Sequence, residues 1–250
     1  MNRSMADART EIPMIPGIGD PRILRGMEAQ LGLRRARLDA GERPLGWKVA
    51  FGAPAAMHKL AIKRPLVGFL TDGALLATGA TVSLSGWAKP VAEPEIAVHM
   101  GRDLRSGADT DSVKAAIAGL GPAIELVDVD RPPDDVERIL EGNIYQRAVI
   151  LGPCDLSRAG GVVDGLCGHI ARNGSAFAQT SDPQALTGEL IDIVRHVADT
   201  LEGFGETLRA GQIIITGSIV PPLWVEAGEE IVFRLDPASS ISVRFATKDI

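Results

Sequence analysis

The chain has 250 residues, 45% hydrophobic and 23% charged, enough to bury a large core without disulfides or structural metal. Lys and Arg number 26 against 32 Asp and Glu, a formal net charge of −6 with no offsetting basic block, which argues against a nucleic-acid partner. Two cysteines, Cys154 and Cys167, speak against a disulfide scaffold or a four-cysteine zinc site, and no apolar run reaches the roughly 20 residues of a membrane span.

Met1 to Gly19 reads as an arm, because Pro13, Pro16, Gly17 and Gly19 block regular structure. It has no apolar stretch followed by a cleavage site, so a reduced, cytoplasmic setting is expected. Asp20-Pro21 predicts a helix start, with Leu24, Met27, Leu31 and Leu38 at helical spacing and Arg34, Arg35 and Arg37 on a solvated face. With the strand-like run Leu45 to Phe51, this helix is expected to form a small annex over residues 1–52, ahead of a main domain over 53–250. Val91 to Met100 alternates as a strand, placing Ile96, Val98 and Met100 on one face and Glu93, Glu95 and Ala97 on the other.

Asp109 or Asp111 is expected to cap a helix carrying Val113, Ala116, Ile117 and Leu120, ended by Gly121-Pro122 and followed by a strand from Ala123 to Val129. Val149 to Leu151 and Gly165 to Ala171 read as strands, and Asn173-Gly174 is a hairpin turn into Ser175 to Gln179. Ser181-Asp182-Pro183 predicts the start of a helix bearing Leu186, Leu190, Ile193, Val194, Val197 and Leu201. Ile213 to Thr216, Glu230 to Leu235 and Ser240 to Phe245 close the chain as strands. Strands from distant segments with few helices imply an α+β fold, a β-rich mixed roll or barrel with peripheral helices.

Glu93-Pro94-Glu95 puts two carboxylates on one sheet face, where they repel unless a cation or a proton lies between them. Pro94 lacks a ladder donor, which predicts an edge or a mouth. Glu125 interrupts the apolar strand Ala123-Ile124-Glu125-Leu126-Val127. Three carboxylates converging from two strands would hold a hard divalent ion, Mg²⁺ or Mn²⁺; solvated strand-edge glutamates fit the same spacing. Lys48, in Gly46-Trp47-Lys48-Val49-Ala50-Phe51, is either a snorkelling edge residue or a partly buried cation facing a site. Thr216-Gly217-Ser218 offers a turn with backbone N–H groups and two hydroxyls to an anion, or is a plain turn. His99 shares the parity of the glutamates. The chain has no phosphate-binding glycine loop, no dinucleotide fingerprint and no serine-hydrolase elbow, and its four histidines form no zinc pattern.

In order, G-W-K-V-A-F, E-P-E-I-A-V-H-M-G-R-D-L, P-A-I-E-L-V-D, A-G-Q-I-I-I-T-G-S-I-V-P-P and I-S-V-R-F resemble the fumarylacetoacetate hydrolase superfamily. The resemblance points to its branch of 2-keto-4-pentenoate hydratases and 4-oxalocrotonate decarboxylases. It implies that Glu93, Glu95 and Glu125 bind Mg²⁺ or Mn²⁺, that Lys48 lines the site as a catalytic residue, and that Asn143 with Thr216, Gly217 and Ser218 binds the substrate. It further implies a cytoplasmic homo-oligomer acting on a small 2-oxo acid in aromatic-compound catabolism, most simply by hydrating a 2-hydroxydienoate. Decarboxylation or acylpyruvate C–C hydrolysis is the alternative chemistry, and a metal–oxo-acid-binding protein without turnover the alternative of another class. Leu66 stands where those hydratases carry an aspartate, and Asp72 lies nearby in sequence.

Overall fold

The computed structural model describes residues 19–247, so the expected N-terminal arm, save Gly19, lies outside them. Helix α1 (Pro21–Asp39) begins as expected: Asp20 Oδ1 accepts from Arg22 N at 2.9 Å, with proline in the first turn. Strand β1 (Pro44–Ala50), α2 (Pro54–Leu60), β2 (Leu66–Thr71), β3 (Leu75–Leu76), β4 (Ala80–Ser83) and β5 (Pro90–Met100) follow. Next come α3 (Thr110–Ala116), β6 (Ile117–Asp128), α4 (Val136–Glu141), β7 (Gln146–Leu151), β8 (Cys167–Arg172) and β9 (Ser175–Thr180). Helix α5 (Leu190–Gly203), β10 (Ile213–Ser218), β11 (Leu223–Trp224), β12 (Glu230–Asp236) and β13 (Ser239–Ala246) complete the fold.

Two sheets result. The larger runs β2-β1-β10-β5-β6-β7-β3, with β11 on β5, and curls into a half barrel; the smaller runs β4-β13-β12-β8-β9. Apart from the parallel pairs β1–β10, β3–β7 and β4–β13, neighbours are antiparallel. One face of the large sheet supplies Trp47, Phe69, Ile96, Ile124 and Ile214 to the main core, where they meet Ile231, Phe233 and Val243 of the small sheet. The same core takes the buried stripe of α5, Leu190, Ile193, Val194, Val197 and Leu201. Full burial of each such side chain stabilises by about 1.5–3 kcal/mol. Alternation leaves Lys48, Gly68, Glu93, Glu95 and Glu125 on the opposite, concave face.

The structure corrects several expectations. Helix α1 packs on α4 as an N-terminal helical piece, but the strand expected in the same annex is β1, hydrogen-bonded on both sides within the large sheet. A boundary at residue 52 would therefore separate β1 from its neighbours β2 and β10. Arg34 is buried, not solvated: its guanidinium lies 4.9 Å above the Trp47 ring and bonds Glu206 at 3.1 Å. The helix after Asp109 stops at Ala116, and Ile117 to Pro122 belong to β6. Gly119 and Gly121 sit there because the backbone of Pro153 and Asp155 lies where their side chains would be, and Leu120 bridges to Asp155. Helix α5 starts at Leu190, eight residues after Asp182; Gln184 Oε1 accepts from Leu190 N at 2.7 Å, and Leu186 is exposed on the turn before it.

Candidate metal centre

Four charged side chains from three strands meet on the concave face. Glu93 on β5 and Glu125 on β6 are direct cross-strand partners, and Glu95 follows two residues along on the same side. One carboxylate oxygen from each lies within 4.8 Å of the others. Glu95 and Glu125 are each 1% exposed, while Glu93 is partly open. Lys48 on β1 runs its stem beside Gly68 of β2 and places Nζ 2.5 Å from Glu125 Oε1 and 3.0 Å from Ile144 O. Gly68 is its cross-strand partner, and a Cβ there would lie 2.8 Å from Lys48 Cγ and 2.9 Å from Asn143 Oδ1. Only glycine leaves room for the lysine stem there.

Pro94 is not at an edge. It is buried in mid-sheet and paired with Ile124. Its missing donor is tolerated because β10 slips register opposite it, between Ile215 and Ser218, and Ile219 N donates to Pro94 O at 2.9 Å. Gly217 makes that bulge with φ of +99° and donates its N–H to Glu95 Oε2 at 2.6 Å. Thr216 Oγ1 donates to Ile96 O and Ser218 Oγ to Val220 O at 2.7 Å, so each hydroxyl keeps lone pairs free.

The Asn143 side chain is engaged by the backbone of β2. Its Oδ1 accepts from Phe69 N and its Nδ2 donates to Phe69 O, both at 2.9 Å, so the carboxamide clasps β2 as a strand neighbour would. The clasp anchors Asn143, Ile144 and Tyr145, three consecutive residues with φ of 51°, 52° and 63°. Left-handed backbone costs such residues about 1–2 kcal/mol each. The clasp and the Lys48–Ile144 bond offset that cost and aim the Ile144 carbonyl at the ammonium. Spacing did not reveal the Ile144 carbonyl or the closeness of Gly68.

Three neighbouring residues stay outside the cluster. His99 lies four residues beyond Glu95, roughly 13 Å along the strand. Asp72 is held by Arg43, accepting from its backbone N and Nε at 2.7 Å each. Leu66 is 1% exposed on β2, on the same face as Gly68.

Three carboxylates face one ammonium in a space with little water. Burial raises the proton affinity of all three; it lifts Glu125 to about 7 even though Lys48 pulls the other way. Glu95 stands well above the usual carboxylate range because burial and then the charges of Glu125 and Glu93 outweigh Lys48 and the Gly217 N–H. Glu93 is raised by burial against the pull of Lys48. A divalent cation would let all three ionise together, and an all-oxygen donor set suits a hard ion such as Mg²⁺ or Mn²⁺. Among the described residues no hydrogen-bond donor occupies Glu93, so ligand capacity remains. The residues fit such an ion.

The chain is similar to known proteins over most of its length. The family model described as fumarylacetoacetate (FAA) hydrolase C-terminal matches residues 48–245. The chain is 27% identical over 252 residues to a 2-hydroxyhexa-2,4-dienoate hydratase of Comamonas testosteroni, covering 97% of this chain and 93% of the relative. It is 27% identical over 227 residues to a 2-keto-4-pentenoate hydratase of Dechloromonas aromatica, covering 85% and 82%. The structure of 4-oxalocrotonate decarboxylase from Pseudomonas putida G7, complexed with magnesium and adipate, superposes with a TM-score of 0.80 at 26% identity, covering 88% of this chain and 84% of that one.

Proposed function

This chain belongs to the fumarylacetoacetate hydrolase family, and on that premise we propose that it is a divalent-metal-dependent lyase that hydrates a 2-hydroxydienoate, a small 2-oxo acid in its enol form. The observation that carries the reading is the buried triad Glu93, Glu95 and Glu125, whose summed charge one ammonium does not match. These three residues would hold Mg²⁺ or Mn²⁺. Held there, the ion would supply Lewis-acid stabilisation of the negative charge that develops on the substrate's 2-oxygen when the enol proton leaves or water adds to the conjugated chain.

The chain's own groups supply the rest. The Gly217 N–H fixes the orientation of Glu95, while the free lone pairs of Thr216 and Ser218 lie on the same bulge, to which we assign the substrate's carboxylate end. Lys48 Nζ carries three N–H groups; two are committed to Glu125 and Ile144 O, and we assign the third to the substrate. Asn143 acts through Ile144 by keeping that ammonium in place. Leu66 moves no proton, and we assign proton transfer to Lys48 Nζ.

The hydrocarbon at Leu66 also favours a second reading, decarboxylation of a 2-oxo acid, in which no water has to be activated. A 2-hydroxypenta-2,4-dienoate assay with Mg²⁺ separates the two: hydration abolishes the dienoate absorbance without releasing CO₂. Decarboxylation of 4-oxalocrotonate without dienoate hydration would select the second reading. Ligand binding without turnover on either would leave a binding protein.

Two unpaired cysteines fit a reducing compartment, and we place the protein in the cytoplasm, in aromatic-compound catabolism. Phe177 and Trp224, at 51% and 57% exposed, fit burial against another copy in a homo-oligomer.

A further inference from the structure

We propose that the free edge of β2 is a docking site for an extended peptide of a partner protein, an apolar–hydroxyl–apolar run followed by an acidic residue. The site lies outside the metal centre and does not depend on the lyase reading, because neither the glutamates nor Lys48 takes part. Strand β2 lies at one end of the large sheet, beside β1. In an antiparallel pair, alternate residues turn both backbone groups toward the partner strand and those between turn both away. From Leu66 to Leu70 the register with β1 has no slip. Phe69 turns both groups away from β1, since Asn143 holds its N–H and its carbonyl. Val67 therefore does the same, as does the Pro65 carbonyl, which lies 2.9 Å from His196 Nε2. Side chains thus cover the edge at Pro65 and Phe69. Between them, the Val67 N–H and carbonyl have no hydrogen-bond partner among the described residues, although Val67 is only 2% exposed. Buried backbone groups are almost always paired, so the gap at Val67 marks a missing partner.

Beside this edge lies a cavity of about 1070 Å³, lined along the strand by Pro65, Leu66 and Val67. Its two sides differ as an added strand requires. On the Leu66 side are Ile23, Met27 and Leu140, of the same apolar cluster as Leu66. On the Val67 side, α5 and the loop before α3 present Thr200, Asp199 and Ser106. His196 Nε2 donates to Pro65 O, so its buried Nδ1 keeps a lone pair, without a partner among the described residues. A peptide residue set opposite Val67 in an antiparallel strand would exchange two hydrogen bonds with it. Its side chain would point toward Thr200 and Ser106, where a hydroxyl fits, and its two neighbours would point toward Met27 and Leu140. Charge selects the end of the run. Lys63 and Arg64 are exposed where β2 begins, while both carboxylates lining the cavity are engaged. Asp20 pairs with Arg22 at 2.6 Å, and Asp199 accepts from Ser106 Oγ and Gly107 N at 2.9 Å each. An acidic residue after the run would lie beside the two free cations.

The test uses the full chain at about 0.15 M salt, where long-range attraction is screened, with the peptide acetyl-Leu-Ser-Leu-Asp as the probe. Calorimetry reads affinity. Hydrogen exchange resolved to single residues reads the Val67 amide, with the Phe69 amide, already bonded to Asn143, as internal reference. We expect saturable binding that slows exchange at Val67 by at least about 10-fold and leaves Phe69 unchanged. N-methylation of the peptide's serine removes the N–H that would reach Val67 O, and should weaken binding by at least about 10-fold. Lys63→Glu combined with Arg64→Glu, at two exposed positions, should weaken this peptide and favour one ending in lysine amide. A Val67 amide that exchanges slowly without peptide shows that a second copy or another part of the chain already covers the edge, and overturns the proposal. Absence of binding at millimolar peptide overturns it too, as does binding that leaves the Val67 amide unchanged or survives N-methylation.

Discussion

Glu93 is the most exposed of three carboxylates whose mutual repulsion only one ammonium opposes. Removing its charge should therefore have opposite effects with and without metal. Glu93→Gln should leave the metal-free protein as stable as wild type or more so, because a repulsion is relieved, and should abolish stabilisation by millimolar Mg²⁺. Binding to the native state alone contributes about 2.7 kcal/mol at a hundredfold excess over Kd, so thermal melts resolve the difference. At Asn143 the clasp predicts a structural signature. Asn143→Ala leaves the Phe69 N–H and carbonyl unpaired, and should cost about 2–4 kcal/mol in urea titrations. It should lower kcat with KM nearly unchanged; a rise in KM alone would restore Asn143 as a substrate contact. The glutamates and Lys48 are legible in the sequence because a carboxylate or an ammonium inside an apolar strand needs a reason. The role of the Asn143 carboxamide is not, because a clasp on a strand 74 residues away leaves no local signal.

At the scale of elements, β1 and β2 form the seat of the lysine, and Gly68 is the position on β2 beside which its stem lies. Gly68→Ala puts a methyl group on Lys48 Cγ. Overpacking of this kind costs about 1–3 kcal/mol, and misplacing the ammonium by about 1 Å should lower kcat by about 10–100-fold. Urea midpoints and initial rates on 2-hydroxypenta-2,4-dienoate read both. Strands with clear alternation, such as β12 and β13, and the Asn173-Gly174 hairpin are readable because period and turn chemistry agree. The N-terminal part of β6 is not. Ile117 and Leu120 lie at helical spacing, and long-range pairing with β5, together with the chain from Pro153 to Asp155 packed on Gly119 and Gly121, makes that stretch extended. The strand β2 gives no signal of period two, because all six of its residues are buried and show no alternation.

For the whole molecule, the buried carboxylates couple metal, protons and stability. Glu125 holds its proton up to about 7 in the folded chain, against 4.5 as its ordinary value. Between those values the folded state binds more protons than the unfolded one, so this group's contribution to stability is present below about 4.5 and is lost as pH rises through about 7. His99 and His196, whose proton affinities burial lowers, act in the opposite direction as pH falls below 6.5. The comparison that isolates the carboxylate is wild type against Glu125→Gln, both metal-free. The stability of wild type relative to the variant should fall between pH 5 and pH 7.5, and a flat difference would show that Glu125 is not a proton-holding group. With Mg²⁺ present the trend should reverse, because the ion binds the deprotonated carboxylates.

The most direct measurement is a calorimetric titration of Mn²⁺ into the metal-stripped protein at pH 7.5, repeated at pH 6 and with Glu93→Gln. The structure predicts one ion per chain, affinity that weakens at pH 6 as protons compete for Glu95 and Glu125, and no binding by the variant. Heats indistinguishable from buffer at both pH values, or saturable binding that the variant retains in full, would contradict the assignment of the glutamate triad as a metal centre.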